Sequence, residues 1–299
     1  MAVTALRDPL ELVRAPAALS VPGDVVAGAA AGQAFGGRTL GLACSSVCLY
    51  WAGMAANDWA DRRLDEVERP ERPIPSGRVS PGTALAVAAG LTAAGVALAG
   101  LVGGRRALTV AVPLAGAVWA YDLLAKNTPA GPTAMALCRG LDVLLGAAPG
   151  RSVLAALPSA LTIATHTYLL TALSRAKVSG TDRRLPTATL AGTVALTAGT
   201  AGSRSGAPAV PQARRGDEPA RAAQALLGAW YAAEFGISQA RAVAVPSAGR
   251  IRIAVTSGIV GLPALRGALA ARARATRTGL VLATAVPLAR HLIRRVSPT

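Results

Sequence analysis

The apolar residues of this chain arrive in runs near 20 residues long, and that spacing restricts the fold more than any other feature. Crossing the roughly 30 Å hydrocarbon layer of a bilayer takes about 20 helical residues. Within lipid every backbone polar group must be paired internally, which for runs of this length means helices. Candidate spans fall at 18–36, 39–56, 82–102, 107–125, 133–150, 153–173, 187–202, 251–270 and 276–293. The expectation is an all-α fold: a polytopic membrane helical bundle of about nine transmembrane helices, forming one integral membrane domain over 1–299.

Composition agrees, with 52% hydrophobic and only 15% charged residues and a mean hydropathy of +0.43. Many spans are rich in Ala and Gly, which lets helices approach closely in a bilayer. GG at 36–37, SPG at 80–82 and GG at 103–104 punctuate the joins. The stretch 203–250 fits less well. It reads as an atypical polar, Ala-rich insertion between spans seven and eight, whose segment AAQALLGAWYAAEFGI could dip into the membrane. No internal repeat stands out.

The net charge of +16 raises the question of nucleic acid, but the basic residues do not cluster with exposed aromatics. The arginines collect in short gaps between apolar runs, where anionic lipid head groups would meet them. The expected partner is therefore the lipid bilayer and not nucleic acid. With the N-terminus inside, the loops 57–81, 126–132 and 174–186 share one side, taken as the cytoplasmic side of a bacterial cell membrane. MAVTALRDPLELVRAP is too polar and too early in charge for a cleavable signal peptide. Cys44, Cys48 and Cys138 lie inside apolar runs without His or acidic neighbours and read as small core residues.

Against this background NDWADRRLD at 57–65 needs an explanation, because carboxylates beside hydrocarbon are costly unless something positive shares the site. If the second helix continues past Asn57, then Asp58, Asp61 and Asp65 fall within an arc of about 60°. Three carboxylates on one stripe repel unless cations bridge them. Hard oxygen ligands without His or Cys select Mg²⁺ or Ca²⁺. Mg²⁺ commonly takes one or two carboxylates and completes its shell with water and phosphate oxygens, so the stripe implies a phosphate-bearing ligand. Pro70 ends the helix, and Arg69, Arg72 and Arg78 follow in a Pro/Gly-rich loop. Arginine grips phosphate oxygens bidentately. A solvated loop of mutually neutralising charges is the plain alternative.

NDxxDxxxD followed by ERPxRPIPSGRVS resembles the first aspartate-rich motif of the UbiA superfamily of membrane prenyltransferases. YDLLAK at 121–126 is similar to the family's Tyr-containing stretch ending in Lys. The resemblance implies a polyprenyl diphosphate donor, an acceptor of unknown identity and Mg²⁺ as cofactor. It makes Asp58, Asp61 and Asp65 the metal ligands and, with Lys126, the catalytic set. Asn57, Arg72 and Tyr121 become substrate-binding candidates. The chemistry implied is ionisation of an allylic C–O bond and capture of the carbocation by the acceptor.

The family's second aspartate-rich motif is altered here. YLLTALSRAKVSGTDRRLP carries Asp182 as its single acid among Arg175, Lys177, Arg183 and Arg184. Lys177 and Asp182 are accordingly expected to contact diphosphate without a second metal. This loop, with GPTAMALCRGLDVLLGA at 131–147, resembles a divergent EboC-like branch. The rival reading is a non-catalytic or transport-associated membrane protein that retains a lipid-diphosphate or metabolite pocket. A secondary transporter proper fits less well, for want of repeats and midplane helix breaks.

Further candidates lie within the spans. Arg139 and Asp142, three apart, can meet on one face, either as substrate-binding groups or as a buried structural pair. Asp122 can position substrate or face water. His166 can be a general base or, more simply, a core histidine. Tyr50, Trp51, Trp119 and Tyr121 can shield a carbocation or form an interfacial belt.

Overall fold

A computed structural model describes residues 8, 11–13, 21–202 and 218–287. Among the described residues no strand occurs, and the helices divide into two compact units, Met1–Ala160 and Leu161–Thr299.

In the first unit, α1 (Pro22–Ala31) leads into α2 (Gly37–Glu68), whose start is tied by the Gly36 N–H donating to Thr39 Oγ1 at 3.1 Å. At 1.5 Å per residue the 32 residues of α2 extend about 48 Å, more than a bilayer's hydrocarbon. Its C-terminal third therefore carries the carboxylate stripe beyond the apolar run on a continuous helix. α3 (Pro81–Ala120) starts at Pro81 with Ser80 Oγ accepting from the Thr83 N–H at 3.1 Å. It reverses at Gly104, whose φ of 68° is open to glycine. The two arms lie side by side, Trp119 Nε1 donating to Thr92 Oγ1 at 3.0 Å, so the second arm runs parallel to α2. A π-helical turn, Tyr121–Ala125, ends that arm. α4 (Gly131–Ala147) follows, then a 3₁₀ turn Val153–Ala156.

α1 and α4 meet backbone to backbone. A Cβ on Gly28 would stand 1.8 Å from the Val143 carbonyl oxygen, and one on Gly146 would stand 2.0 Å from that of Val25. The main core joins Leu42, Leu49, Ala107, Leu114, Val118 and Leu145. A smaller cluster joins Leu12, Ala55, Ala56, Ile74, Val79, Ala84 and Ala88. Through it Leu12 packs with Ile74 and Val79 of the 69–79 loop.

The second unit holds most of α5 (Leu157–Ser174), then α6 (Arg184–Ala201), α7 (Glu218–Tyr231), a π-helical turn Ala232–Gly236, α8 (Ile237–Ala244), α9 (Ala248–Arg272) and α10 (Thr276–Ala283). Each of the nine expected spans contains a helix, the ninth being described only to residue 287. Within the stretch 203–250, expected as an atypical polar, Ala-rich insertion, the described residues 218–244 are helical throughout and bury Tyr231, Phe235 and Gln239. Four helical stretches among the described residues are long and apolar enough to cross a membrane: Gly37–Glu68, Pro81–Ala125, Val153–Ser174 and Ala248–Arg272. The chain is an integral membrane protein.

Candidate functional site

The stripe on α2 forms as the spacing predicts, and the structure shows what faces it. Because α2 and the second arm of α3 are parallel, residues four apart on one meet residues four apart on the other. Asn57 Nδ2 donates to Asp122 Oδ1 at 3.2 Å, and one turn further Lys126 Nζ stands 2.7 Å from Asp61 Oδ1. Gly53 sits one turn before Asn57, where a Cβ would lie 2.9 Å from Asp122 Oδ2. The absence of a side chain there lets the Asp122 carboxylate reach α2. The Tyr121 ring packs against the apolar core instead.

The other two carboxylates are held from the loop. Arg72 Nη1 lies 2.6 Å from Asp65 Oδ2 and 3.3 Å from Asp58 Oδ1, so one guanidinium nitrogen bridges both. Arg69 approaches Asp65 at 4.0 Å. The loop returns on itself to do this. Gly77, at φ 75°, turns the chain so that the Val79 N–H reaches the Pro73 carbonyl at 2.9 Å. Arg78 points elsewhere, donating to Asp8 at 2.5 Å, to Glu11 at 2.9 and 3.1 Å, and to the Glu71 carbonyl at 2.7 Å. Its hydrogen bonds to the Glu11 and Asp8 carboxylates raise its pKa above the ordinary arginine range. Arg78 thus ties Asp8 and Glu11 to the loop.

The structure brings Asn57, Asp58, Asp61, Asp65, Arg72 and Lys126 together, with Asp122 as an added member. Among the described residues no three His, Cys, Asp or Glu side chains form a ready-made metal cage. The donors present still fit Mg²⁺, which takes one or two carboxylates and fills its shell from substrate phosphate and water.

About 18 Å back along α2 lies a second polar cluster. Arg139, on which Asp142 of the same helix acts electrostatically, also reaches across to α1. Its Nη2 stands 2.7 Å from Asp24 Oδ2, on α1, and its guanidinium lies 5.5 Å from the Tyr50 ring centre. Asp142 accepts from the Ser46 hydroxyl. Asp24, Ser46 and Asp142 are wholly buried. Sequence reading missed Asp24, although a single acid within an apolar run is itself a signal.

In the second unit Lys177 and Asp182 are exposed. Asp182 Oδ1 accepts from the Arg184 N–H at 3.1 Å, a bond that closes the start of α6, and the Lys177 carbonyl accepts from Arg252 at 3.1 Å. His166 is fully buried, its Nδ1 lying 2.8 Å from the Tyr231 hydroxyl and its ring edge-on to Tyr231 and Phe235. These are the surroundings of a core histidine.

Comparison with known proteins agrees with this geometry. The profile of the UbiA prenyltransferase family matches residues 19–201, more than half of the chain. Digeranylgeranylglyceryl phosphate synthase of Methanopyrus kandleri is 38% identical over 152 residues, covering 49% of this chain and 54% of the relative. The bacteriochlorophyll synthase 33 kDa chain of Cereibacter sphaeroides is 35% identical over 116 residues, covering 36% and 37%. The chain thus spans about half the length, or less, of these relatives. Two solved structures share the fold. One, from work on digeranylgeranylglyceryl phosphate synthase in membranes, has a TM-score of 0.67 at 17% identity and covers 90% of this chain and 98% of its own. The other, a UbiA homologue from Aeropyrum pernix, has a TM-score of 0.58 at 21% identity and covers 83% and 95%.

Proposed function

Because this chain belongs to the UbiA prenyltransferase family, we propose that it transfers a prenyl group from a polyprenyl diphosphate to a small acceptor at the membrane. The observation that carries this is the Asp58–Asp61–Asp65 stripe facing Arg72 and Lys126 at 2.6–3.3 Å. Three acids and two bases at one end of an apolar helix pair make a site for a metal-bound diphosphate whose tail lies among apolar side chains.

In the reaction the allylic C–O bond breaks and the diphosphate leaves with the electron pair. An electron-rich acceptor atom then bonds to the carbocation and releases a proton. Asp58, Asp61 and Asp65 would hold Mg²⁺, which when bound supplies the charge that neutralises the leaving group. Arg72 and Lys126 hydrogen-bond the departing oxygens, where their contribution grows as the charge does. Asn57, tied to Asp122, keeps the end of α2 and the π-turn in register. Arg139 and Asp142, on α4, face Tyr50 and Ser46 deeper along α2, where they can serve the acceptor side. Lys177 and Asp182 remain the second loop's candidates for diphosphate contact in this reading, without a second metal. The site loops face the cytoplasm in this reading, and the whole chain acts as one membrane domain.

The test is a membrane assay with labelled farnesyl, geranylgeranyl and longer diphosphates, scoring diphosphate release with and without Mg²⁺. Relatives named for digeranylgeranylglyceryl phosphate make geranylgeranyl diphosphate the first donor to try. Mg²⁺-dependent release in the wild type and its loss in Asp61→Ala are expected. An Asp61→Ala protein working at the wild-type rate would remove the metal-site reading.

One observation favours a second reading. The second loop carries a single acid, Asp182, whose Oδ1 accepts from the Arg184 N–H at the start of α6. A non-catalytic or transport-associated protein that binds a lipid diphosphate would need no more than the first cluster.

A further inference from the structure

We infer that Arg72 and Lys126 are the resident counterions of the carboxylate stripe, and that a divalent ion enters only together with a diphosphate to which these side chains are handed over. The inference rests on the transferase reading above and specifies how its site is loaded.

The geometry leaves little choice. Arg72 Nη1 stands between Asp58 and Asp65 at 3.3 and 2.6 Å, and Lys126 Nζ stands 2.7 Å from Asp61. A magnesium ion binds carboxylate oxygens at about 2.0–2.1 Å. A guanidinium nitrogen bridging two carboxylates already fills the cation position, so ion and arginine cannot share it. Every acid of the stripe is engaged in this way.

Displacing the two bases has a cost of its own. The Arg72 side chain is only 18% exposed and that of Lys126 only 12%. Both side chains are mostly buried, and a part-buried cation stripped of its carboxylate is strongly unfavourable. An incoming metal ion alone therefore meets repulsion from both bases and leaves both unpaired. An incoming diphosphate alone meets three carboxylates. When the two arrive together, the diphosphate oxygens accept from Arg72 and Lys126, the arginine in its favoured forked geometry, and the freed carboxylates are available to the ion. The two ligands are then coupled, and by linkage each raises the affinity of the other by the same factor. The same exchange keeps the charge of the stripe balanced before and after loading, and it confines the activated state of the site to the loaded complex.

The test uses the full chain in detergent micelles and follows Mn²⁺ binding by electron paramagnetic resonance, with and without inorganic pyrophosphate. In the wild type, pyrophosphate is expected to tighten Mn²⁺ binding at least about tenfold. Arg72→Gln, which keeps polarity but removes the cation, should bind Mn²⁺ alone at least about tenfold more tightly than wild type while losing most of the pyrophosphate effect. Arg72→Lys should restore the coupling in part. Lys126→Gln repeats the test at Asp61 where Arg72→Gln does not fold. Equal Mn²⁺ affinity with and without pyrophosphate in the wild type, or an Arg72→Gln or Lys126→Gln protein that binds Mn²⁺ no more tightly than wild type, overturns the exchange. If Mg²⁺-dependent turnover is observed alongside either result, the transferase reading survives and only the exchange falls. Absence of Mn²⁺ binding under every condition overturns both.

Discussion

Asp24→Asn should destabilise the first unit by about 3 kcal/mol, a large effect from removing one charge at constant side-chain size. Asp24 is wholly buried and its carboxylate is 2.7 Å from Arg139 Nη2, itself almost fully buried. Breaking such a pair by removing one partner costs roughly 3–5 kcal/mol, because the remaining charge has no water to turn to. The low end applies here, since two other groups still act on the guanidinium. The Asp142 carboxylate remains near, and the Tyr50 ring faces it at 5.5 Å. Arg139→Met alone should cost a similar amount, since it leaves Asp24 and Asp142 as buried acids without their cation. The double variant Asp24→Asn/Arg139→Met should lose less than the sum of the two, by about 2 kcal/mol, because the second change removes the charge orphaned by the first. Unfolding in mixed micelles with rising SDS fraction, read by far-ultraviolet circular dichroism, measures all three. A single variant within about 0.5 kcal/mol of wild type, or strictly additive losses in the double variant, would refute the ion pair as the element joining α1 to α4.

Gly53→Ala should lower both stability, by about 1–3 kcal/mol, and turnover. The new Cβ would lie 2.6 Å from Val118 Cγ1 and 2.9 Å from Asp122 Oδ2, pushing Asp122 off Asn57; unchanged kinetics would show that the Asn57–Asp122 bond is dispensable. Leu12→Ala, at a side chain only 1% exposed among Ile74, Val79 and Ala55, should cost about 2–3 kcal/mol locally. Faster proteolysis near Leu12 and a raised KM for prenyl diphosphate are the expected readouts, and an unchanged KM would separate the Leu12 packing from the placement of Arg72. Lys177→Ala should weaken diphosphate binding without changing the fold. Wild-type affinity in pyrophosphate titrations would take the second loop out of the site and favour the non-catalytic reading.

What the sequence determined here is what depends on neighbours along the chain. A run near 20 apolar residues has few structural outcomes, so each expected span contains a helix, and glycine pairs such as 103–104 mark where the chain turns. The i, i+3, i+7 spacing of Asp58, Asp61 and Asp65 places them on one stripe wherever that helix goes. The helix over 218–244 was harder to see, because Glu218, Arg221, Glu234 and Arg241 interrupt its apolar run and its buried face, Tyr231, Phe235 and Gln239, is defined by the helices it packs against. The choice of partner was decided only in three dimensions. Arg139 and Asp142 share a helix face and act on each other as their spacing allows, but nothing along the chain disclosed that Asp24 meets the same guanidinium. Asp24 can meet Arg139 head-on because Gly28 and Gly146 let α1 and α4 touch backbone to backbone. In the same way Asp61 finds Lys126, and Asp122 finds Asn57, because the reversal at Gly104 makes the second arm of α3 parallel to α2 and matches their four-residue spacings turn for turn. Periodicity sets which face a charge occupies, but the register between helices, fixed by small residues at their contacts, sets what that charge meets.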